Sequence, residues 1–196
     1  DGPASEQTMD RLIAHATKLI DQADALVLSD YQKGVLTPDV VAHVINAARA
    51  KKIIVTANPK PRTIKTYRGA TLVSLNRSEA SAVIDAVPNI SNEEAPETAA
   101  KLGQIAGTEG ALVTLGESGM VASFDDRFER VEAPPVEVYD TAGAGDTVIA
   151  TVTLGLIARG WDRQVFELAA LTSATVVRKV GVATPSARDI EEICRA

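Results

Sequence analysis

The stretch Asp140-Thr-Ala-Gly-Ala-Gly-Asp146 decides the fold of this 196-residue chain. It follows residues 136–139, which are typical of a short strand, and it precedes a long apolar pattern with helical spacing. A glycine-rich turn between a strand and a helix is where α/β sheets bind ligands, beyond the carboxyl ends of the strands. The sequence therefore predicts an α/β domain whose chemistry lies at this turn.

The residue types in this turn favour phosphate chemistry. Gly143 and Gly145 let the backbone approach a bound group, and the free N–H groups of the next helix attract an anion. The Asp146 carboxylate would repel a phosphate, but it suits a base that takes a proton from an attacking hydroxyl. The alternative is a tight turn in which Asp146 only complements the helix dipole. Six residues specified at this spacing recur by chance at on the order of 10^-7 per start position, so we favour the catalytic interpretation.

Short apolar runs alternate with helical patterns along the rest of the chain. The predicted strands are residues 25–29, 53–57, 71–75 and 111–115, followed by a hairpin of residues 121–124 and 128–131. Predicted helices begin after Ser5, Thr37, Asn76 and Ser91, and two more run from the glycine-rich turn to about Lys179. This succession predicts a mostly parallel sheet with helices on both faces, in one domain of residues 1–196.

The composition excludes several classes of protein. With 45% hydrophobic and 23% charged residues, the chain resembles ordinary globular domains. A net charge of −6 and seven aromatic residues leave no basic stripe for nucleic acid, and no apolar run is long enough to span a membrane. One cysteine and two distant histidines cannot form a disulfide framework or a zinc site, so a cytoplasmic location is expected.

The stretch at residues 140–147 resembles the second signature of the ribokinase/PfkB family of carbohydrate kinases. Asn76-x-x-Glu79 is similar to the Asn-x-x-Glu element of that family, and Thr-Leu-Gly-Glu-Ser-Gly at residues 114–119 is similar to its nucleotide loop. Within the family, residues 29–34 and 179–184 are most similar to heptose 7-phosphate kinases. The resemblance implies a ribokinase-like fold and ATP-dependent phosphorylation of a sugar or sugar phosphate, with heptose 7-phosphate in ADP-heptose synthesis as the leading acceptor.

The resemblance also implies roles for individual residues. Asp146 would deprotonate the acceptor hydroxyl, while the backbone amides of Gly143, Ala144 and Gly145 would form an anion hole for the migrating phosphoryl group. The remaining implied site residues are Asn76 and Glu79 for ATP and water-bound Mg2+, Thr114, Gly116, Gly119 and Lys60 for the nucleotide, and Asp140 and Ala142 with residues 180–184 for a monovalent cation such as K+.

Other interpretations of these segments stay open. Asn76 and Glu79 fit a helix capping box equally well. Gly116 and Gly119 fit an ordinary loop, in which glycine only allows the chain to turn. Lys60 fits a solvated loop residue. A dinucleotide-binding turn is disfavoured, because its third glycine would fall at position 148, which is Val. A non-catalytic relative that still binds nucleotide is the stronger rival.

The resemblance begins at about Asp24, and the N-terminal sugar-binding part and the β lid of the family have no counterpart in this chain. We therefore interpret Asp1 as a point of truncation and expect the 196 residues alone to be inactive or weakly active. For the full-length protein, the resemblance implies a sugar phosphate substrate and a homodimer formed through the lid.

Overall fold

Six strands form one sheet, in which they lie in the order in which they occur in the chain. The structure is a computed structural model that describes residues 5–86 and 89–195, so Asp1 lies outside the described residues. The strands are β1 (Ala25–Ser29), β2 (Ile54–Asn58), β3 (Leu72–Asn76), β4 (Gly110–Thr114), β5 (Met120–Phe124) and β6 (Arg127–Val131). Strands β1 to β4 are parallel and β5 and β6 are antiparallel, which confirms the mostly parallel sheet and the terminal hairpin.

Seven helices connect or flank the described strands. They are α1 (Glu6–Ile20), α2 (Pro38–Ala50), α3 (Arg77–Val83), α4 (Ala95–Ala106), α5 (Ala144–Arg159), α6 (Arg163–Val177) and α7 (Ala187–Arg195). The expected caps are present: Ser5 accepts a hydrogen bond from the amide of Thr8, and Thr37 accepts one from Val40. Gly107, in the left-handed conformation, ends α4.

The sheet separates two apolar clusters, so both of its faces are covered. On one face, Val73 and Val113 pack with the buried sides of α2 and α4. On the other face, Leu72 and Leu112 pack with buried residues of α5 and α6. Neighbouring residues of one strand point to opposite faces, so continuous apolar runs such as residues 111–113 serve both clusters.

The structure corrects two local predictions and adds one helix. Residues 136–139 were expected to form a strand, but they pair with none: Val138 and Tyr139 are exposed, and the Tyr139 amide donates instead to the Val177 carbonyl at the end of α6. Ser91 and Glu94 exchange the expected capping bonds, yet α4 begins only at Ala95, after a turn. Helix α7 was not anticipated.

None of the described helices is long and apolar enough to cross a membrane.

The close contact between α5 and α6 depends on the absence of a side chain at Gly155. A Cβ atom built there would lie 2.5 Å from Cγ1 and 2.9 Å from Cγ2 of Val165. Val165 is β-branched and buried, so it cannot move aside easily. Gly155 therefore fixes how closely the two helices pack.

We predict that Gly155→Ala destabilises the protein by about 1–3 kcal/mol through this clash. Helix propensity alone predicts the opposite effect, a stabilisation of about 1 kcal/mol. The sign of the measured change in unfolding free energy therefore distinguishes the clash from helix propensity. Urea unfolding followed by circular dichroism measures the change. Val165→Ala combined with Gly155→Ala should recover part of the loss, whereas a single Gly155→Ala variant more stable than wild type would contradict the packing argument.

Candidate active site

The carboxyl ends of four parallel strands meet the start of α5 around one cavity of ≈ 170 Å³. Its lining includes the last residues of β1, β2, β3 and β4, and Gly145 and Asp146 from the first turn of α5. Parallel strands bring their carboxyl ends to the same edge of a sheet, so residues far apart in the chain converge there. The structure thus brings together six of the predicted site residues: Lys60, Asn76, Glu79, Thr114, Gly145 and Asp146.

The Asp146 carboxylate is held by two hydroxyl groups. Its Oδ2 accepts a hydrogen bond of 2.7 Å from the Tyr31 hydroxyl, and its Oδ1 accepts one of 3.2 Å from the Ser29 hydroxyl. The pKa of Tyr31 is raised, chiefly because its hydroxyl donates this bond to Asp146. Ser29 and Tyr31 were not among the predicted site residues, although their position at the carboxyl end of a predicted strand was a usable signal.

The first turn of α5 presents unsatisfied amides to the cavity. Gly143 caps this helix with φ 84°, a conformation that favours glycine, and its carbonyl accepts from the Thr147 amide. The Ala144 amide donates to the Thr141 carbonyl at 3.2 Å. Within residues 5–86 and 89–195, the amides of Gly145 and Asp146 have no hydrogen-bond partner. A helix start with two free N–H groups attracts an anion.

The space beside these amides is open. A Cβ atom built on Gly145 would meet no protein atom within 4 Å, and Gly145 lines the cavity. The backbone can therefore contact a bound phosphate without a side chain between them. Of the amides expected to form the anion hole, that of Gly145 is free and that of Ala144 is engaged by the Thr141 carbonyl, while the Asp146 amide is an additional free donor.

Asn76 and Glu79 form a complete capping box and line the cavity at the same time. The Glu79 amide donates to Asn76 Oδ1 at 2.9 Å, and the Asn76 amide donates to Glu79 Oε2 at 3.1 Å. Lys60 Nζ donates to the other carboxylate oxygen, Oε1, at 2.8 Å. The pKa of Lys60 is raised, first by this hydrogen bond and then by the charges of Glu79 and Asp30. Lys60 is therefore a paired residue of the cavity rather than a freely solvated one.

A buried carboxylate, Asp30, supports the same edge of the sheet and was not selected from the sequence. Its Oδ1 accepts from the Gln32 amide at 2.8 Å, and its Oδ2 accepts from the Thr63 hydroxyl at 2.9 Å. These bonds tie the loop after β1 to the loop after β2. Tyr31 and Lys60 lie in the two loops that are joined in this way.

The nucleotide-loop residues divide between the cavity and the turn beyond it. Thr114 lines the cavity, but Gly116 and Gly119 lie in the loop between β4 and β5 and outside its lining. Gly119 has φ 85°, and a Cβ atom there would collide with the Val131 carbonyl oxygen. Gly119 is therefore required by the close approach of two backbones, which agrees with the structural alternative for this glycine.

Asp140 joins the glycine-rich stretch to the loop at residues 180–184. Its carboxylate accepts from the Ala142 amide at 2.9 Å and from the Gly181 amide at 3.0 Å. These two bonds lower the pKa of Asp140, in that order of importance. The two segments expected to hold a monovalent cation are thus in direct contact. Lys179 closes the far side of the same loop through an ion pair of 2.6 Å with Asp189.

We predict that Asp140→Asn lowers the melting temperature at neutral pH, because an amide replaces the charged acceptor of two backbone bonds. The folded-state pKa of Asp140 is depressed, so its contribution is full above the unfolded-state pKa of about 4 and is lost as the pH falls below that value. The difference from wild type should therefore shrink in acid, as measured by thermal unfolding from pH 7 to pH 3.

A suitable control for this pH series is Asp126→Asn. Asp126 is an exposed residue in the turn between β5 and β6 with φ 58°, which asparagine also adopts. This variant should unfold close to wild type at every pH. If the melting temperature of Asp140→Asn stays below that of wild type by the same amount down to pH 3, the stabilising role of the charged Asp140 carboxylate is contradicted.

The fold and the cavity define a class of protein, an α/β domain that places a carboxylate and free helix amides side by side at the strand ends. Residues 1–189 match the family described as pfkB family carbohydrate kinase, so the chain belongs to that family. It is 37% identical over 192 residues to the bifunctional protein HldE of Wolinella succinogenes, which covers 97% of this chain and 40% of that protein. For the HldE of Gluconobacter oxydans the identity is 40% over 190 residues, covering 96% and 39%.

Solved structures agree with the fold. The phosphofructokinase-2 of Escherichia coli in complex with potassium superposes with a TM-score of 0.81 at 18% identity, covering 97% of this chain and 62% of that chain. An Arabidopsis thaliana ribokinase complexed with ribose and ATP gives 0.76 at 17% identity, covering 100% and 61%. These similarities confirm the ribokinase-like fold. The chain spans about two fifths of the length of the curated relatives that it matches.

Proposed function

We propose that this chain carries the nucleotide-binding and base-bearing part of an ATP-dependent kinase that phosphorylates a hydroxyl of heptose 7-phosphate. The observation that carries the proposal is the pairing of one carboxylate, Asp146, with free amides of the same helix turn, at the strand ends of a carbohydrate-kinase fold. A phosphate alone would be repelled by Asp146. A phosphoryl group that moves onto a hydroxyl needs both an acceptor for the proton and donors for the developing charge.

In this proposal each part of the turn has one task. Asp146 takes the proton of the acceptor hydroxyl, as the sequence led us to expect. The amides of Gly143, Gly145 and Asp146 donate to the oxygens of the transferred group and stabilise the charge that they gain, and the Ala144 amide joins them once it is released from the Thr141 carbonyl. The positive end of the α5 dipole adds to this stabilisation. General-base assistance contributes typically about 10²–10⁴-fold in rate, which sets the scale of the effect expected from Asp146.

The residues present fit a magnesium ion that is shared with the nucleotide. Mg2+ prefers oxygen ligands and usually keeps several waters while binding one or two carboxylates and substrate phosphates. Asn76 Oδ1 and the Glu79 carboxylate offer such oxygens at the cavity, whereas no cluster of three or more acidic, histidine or cysteine residues occurs in the described part of the chain. When bound, Mg2+ would neutralise phosphate charge. Lys60 supplies a second positive charge at the same edge.

The proposal includes the remaining partners expected from the sequence. Thr114, Gly116 and Gly119 would shape the nucleotide pocket, and Asp140 with the Ala142 backbone would flank a K+ site. Support for the cation comes from the direct contact between residue 140 and residue 181, and from the potassium complex solved for the Escherichia coli phosphofructokinase-2. A cytoplasmic location and a homodimer of the full-length protein belong to the same proposal.

The acceptor is proposed from the relatives rather than from the cavity. Several curated proteins at 37–40% identity carry the name HldE, and the loop after β1 resembles that of heptose 7-phosphate kinases. Lys33 is exposed on this loop, and Lys60 lies across the cavity edge from Tyr31. Two lysines after neighbouring strands suit an acceptor that itself carries a phosphate.

We predict that the 196-residue chain binds a non-hydrolysable ATP analogue with Mg2+, and that Gly145→Val weakens this binding at least tenfold, or about 1.4 kcal/mol. The valine side chain would fill the open space beside the free amides. Isothermal titration calorimetry measures both affinities. The matched control is Ala150→Val, an exposed position in the second turn of α5, which should bind as wild type does. Equal affinity of all three proteins would contradict the anion site.

We predict that Asp146→Asn lowers the turnover of the natural full-length protein by about 10²–10⁴-fold while nucleotide affinity is retained. A coupled assay of ADP release measures the rate with heptose 7-phosphate, fructose phosphates and ribose as acceptors. Turnover with heptose 7-phosphate alone supports the proposed acceptor. Turnover with another sugar would replace that acceptor, and nucleotide binding without turnover would favour the non-catalytic alternative.

A further inference from the structure

Both oxygens of the Asp146 carboxylate already hold a hydroxyl donor from this chain. The Tyr31 hydroxyl lies 2.7 Å from Oδ2, and the Ser29 hydroxyl lies 3.2 Å from Oδ1. A base that accepts the proton of an incoming hydroxyl must offer that hydroxyl one of these oxygens. Each carboxylate oxygen can accept two hydrogen bonds, so the incoming hydroxyl must either share an oxygen with one of these donors or displace that donor.

The two donors differ in how firmly they are held. Ser29 is the last residue of β1 and pairs with Asn58 of β2, so its position is fixed by the sheet. Tyr31 lies outside the strand, is 62% exposed, and precedes Gln32, a non-glycine residue with φ 54°. Its bond to Oδ2 is nevertheless the shorter of the two, so Tyr31 leaves only when another hydroxyl replaces that bond. Its ring can swing into solvent without breaking any strand pairing.

We propose that Tyr31 determines the choice between sugar and water as acceptor, by covering Asp146 Oδ2 with its hydroxyl until the hydroxyl of the sugar displaces it. This inference rests on the proposed kinase function and adds a residue to it. Tyr31 is a phenol that presents to the base the same O–H group that the sugar will present. Ser29 stays on Oδ1 and keeps the carboxylate oriented throughout.

The competing reaction that Tyr31 suppresses is hydrolysis of ATP. In that reaction the oxygen of a water molecule forms a bond to the γ-phosphorus, and the bond from this phosphorus to the β,γ-bridging oxygen breaks. The electron pair of the broken bond leaves with ADP, and Asp146 takes the proton of the water. A water molecule that enters the open cavity must compete for Oδ2 with the Tyr31 hydroxyl, which lies 2.7 Å from it. A sugar bound through several groups can displace Tyr31, whereas a single water gains too little.

The charged groups around Tyr31 are consistent with this role. Asp146 faces its hydroxyl from α5, and Lys60 faces it from the loop after β2. Asp30, the preceding residue, is buried and turned toward Gln32 and Thr63. The carboxylate of Asp146 raises the pKa of Tyr31, and Lys60 opposes that rise without reversing it. The phenol therefore keeps its proton and remains a donor at neutral pH.

The contact itself is tested without catalysis in the 196-residue chain. Ultraviolet titration at alkaline pH follows the ionisation of the tyrosines, and the Tyr31→Phe variant identifies the transition that belongs to Tyr31. In Asp146→Asn this transition should shift to lower pH, since the negative charge that opposes ionisation is gone. An unchanged transition would overturn the proposal.

The role of Tyr31 is tested in the natural full-length protein by comparing ATP hydrolysis with phosphoryl transfer. Tyr31→Phe removes only the hydroxyl, so hydrolysis without sugar should rise about 3- to 10-fold and the KM for the sugar should fall, because one charge-assisted hydrogen bond no longer competes. Tyr139→Phe is the matched control: Tyr139 is also exposed, and its hydroxyl donates to Glu137 outside the cavity. It should behave as wild type.

The possible outcomes separate this proposal from the proposed function. A wild type without turnover on any sugar would overturn the kinase function, while the titration would still report the contact between Tyr31 and Asp146. Normal turnover in the wild type, with an unchanged ratio of hydrolysis to transfer in Tyr31→Phe, would overturn the role of Tyr31 alone. A fall in kcat with unchanged KM and unchanged hydrolysis would also overturn it, since Tyr31 would then only position the base.

Discussion

The packing of helix α5 across the sheet is the constraint on which the site depends. Its buried residues Val148, Ile149, Val152 and Leu156 belong to the apolar cluster beneath the strands, so the helix cannot slide without exposing them. Fixing the body of the helix fixes its first turn. Gly145 and Asp146 are thereby held at the strand ends, where the loops after β1 and β2 meet them. The chemistry of the site is thus set by packing several residues away from it.

The electrostatics of the site balance opposing charges within a few ångströms. Asp146 and Glu79 place two carboxylates beside the cavity that we propose to bind a polyanion, in a chain with a net charge of −6. Free amides, the helix dipole and Lys60 offset them locally. Each carboxylate is also engaged: hydroxyl groups hold Asp146, and an ammonium group and a backbone amide hold Glu79. Such engagement keeps both groups oriented before any ligand arrives.

Local patterns predicted much of this fold, because each depends on a few neighbouring residues. The strands of the sheet, the caps at Ser5 and Thr37, and the helix that begins at the glycine-rich turn are of this kind, and the bounds of these strands differ from the predicted ones by at most one residue. The strand predicted at residues 136–139 was wrong, because a strand needs a partner edge that the sequence of this segment cannot reveal. The contact between Tyr31 and Asp146 spans 115 positions and arises only from strand order. Asn76 and Glu79 show that a capping box and a cavity wall are compatible, where the sequence had posed them as alternatives.

The central claim is that the first turn of α5 receives the phosphates of a nucleotide. The most direct measurement is a nuclear magnetic resonance titration of backbone amides with Mg2+ and a non-hydrolysable ATP analogue. The account predicts the largest shifts at the amides of Gly145 and Asp146, which are free in the described structure, accompanied by shifts at residues 76–79. The amides in the second half of α1, far from the cavity, should not respond. Saturable binding that leaves Gly145 and Asp146 unshifted would contradict the account.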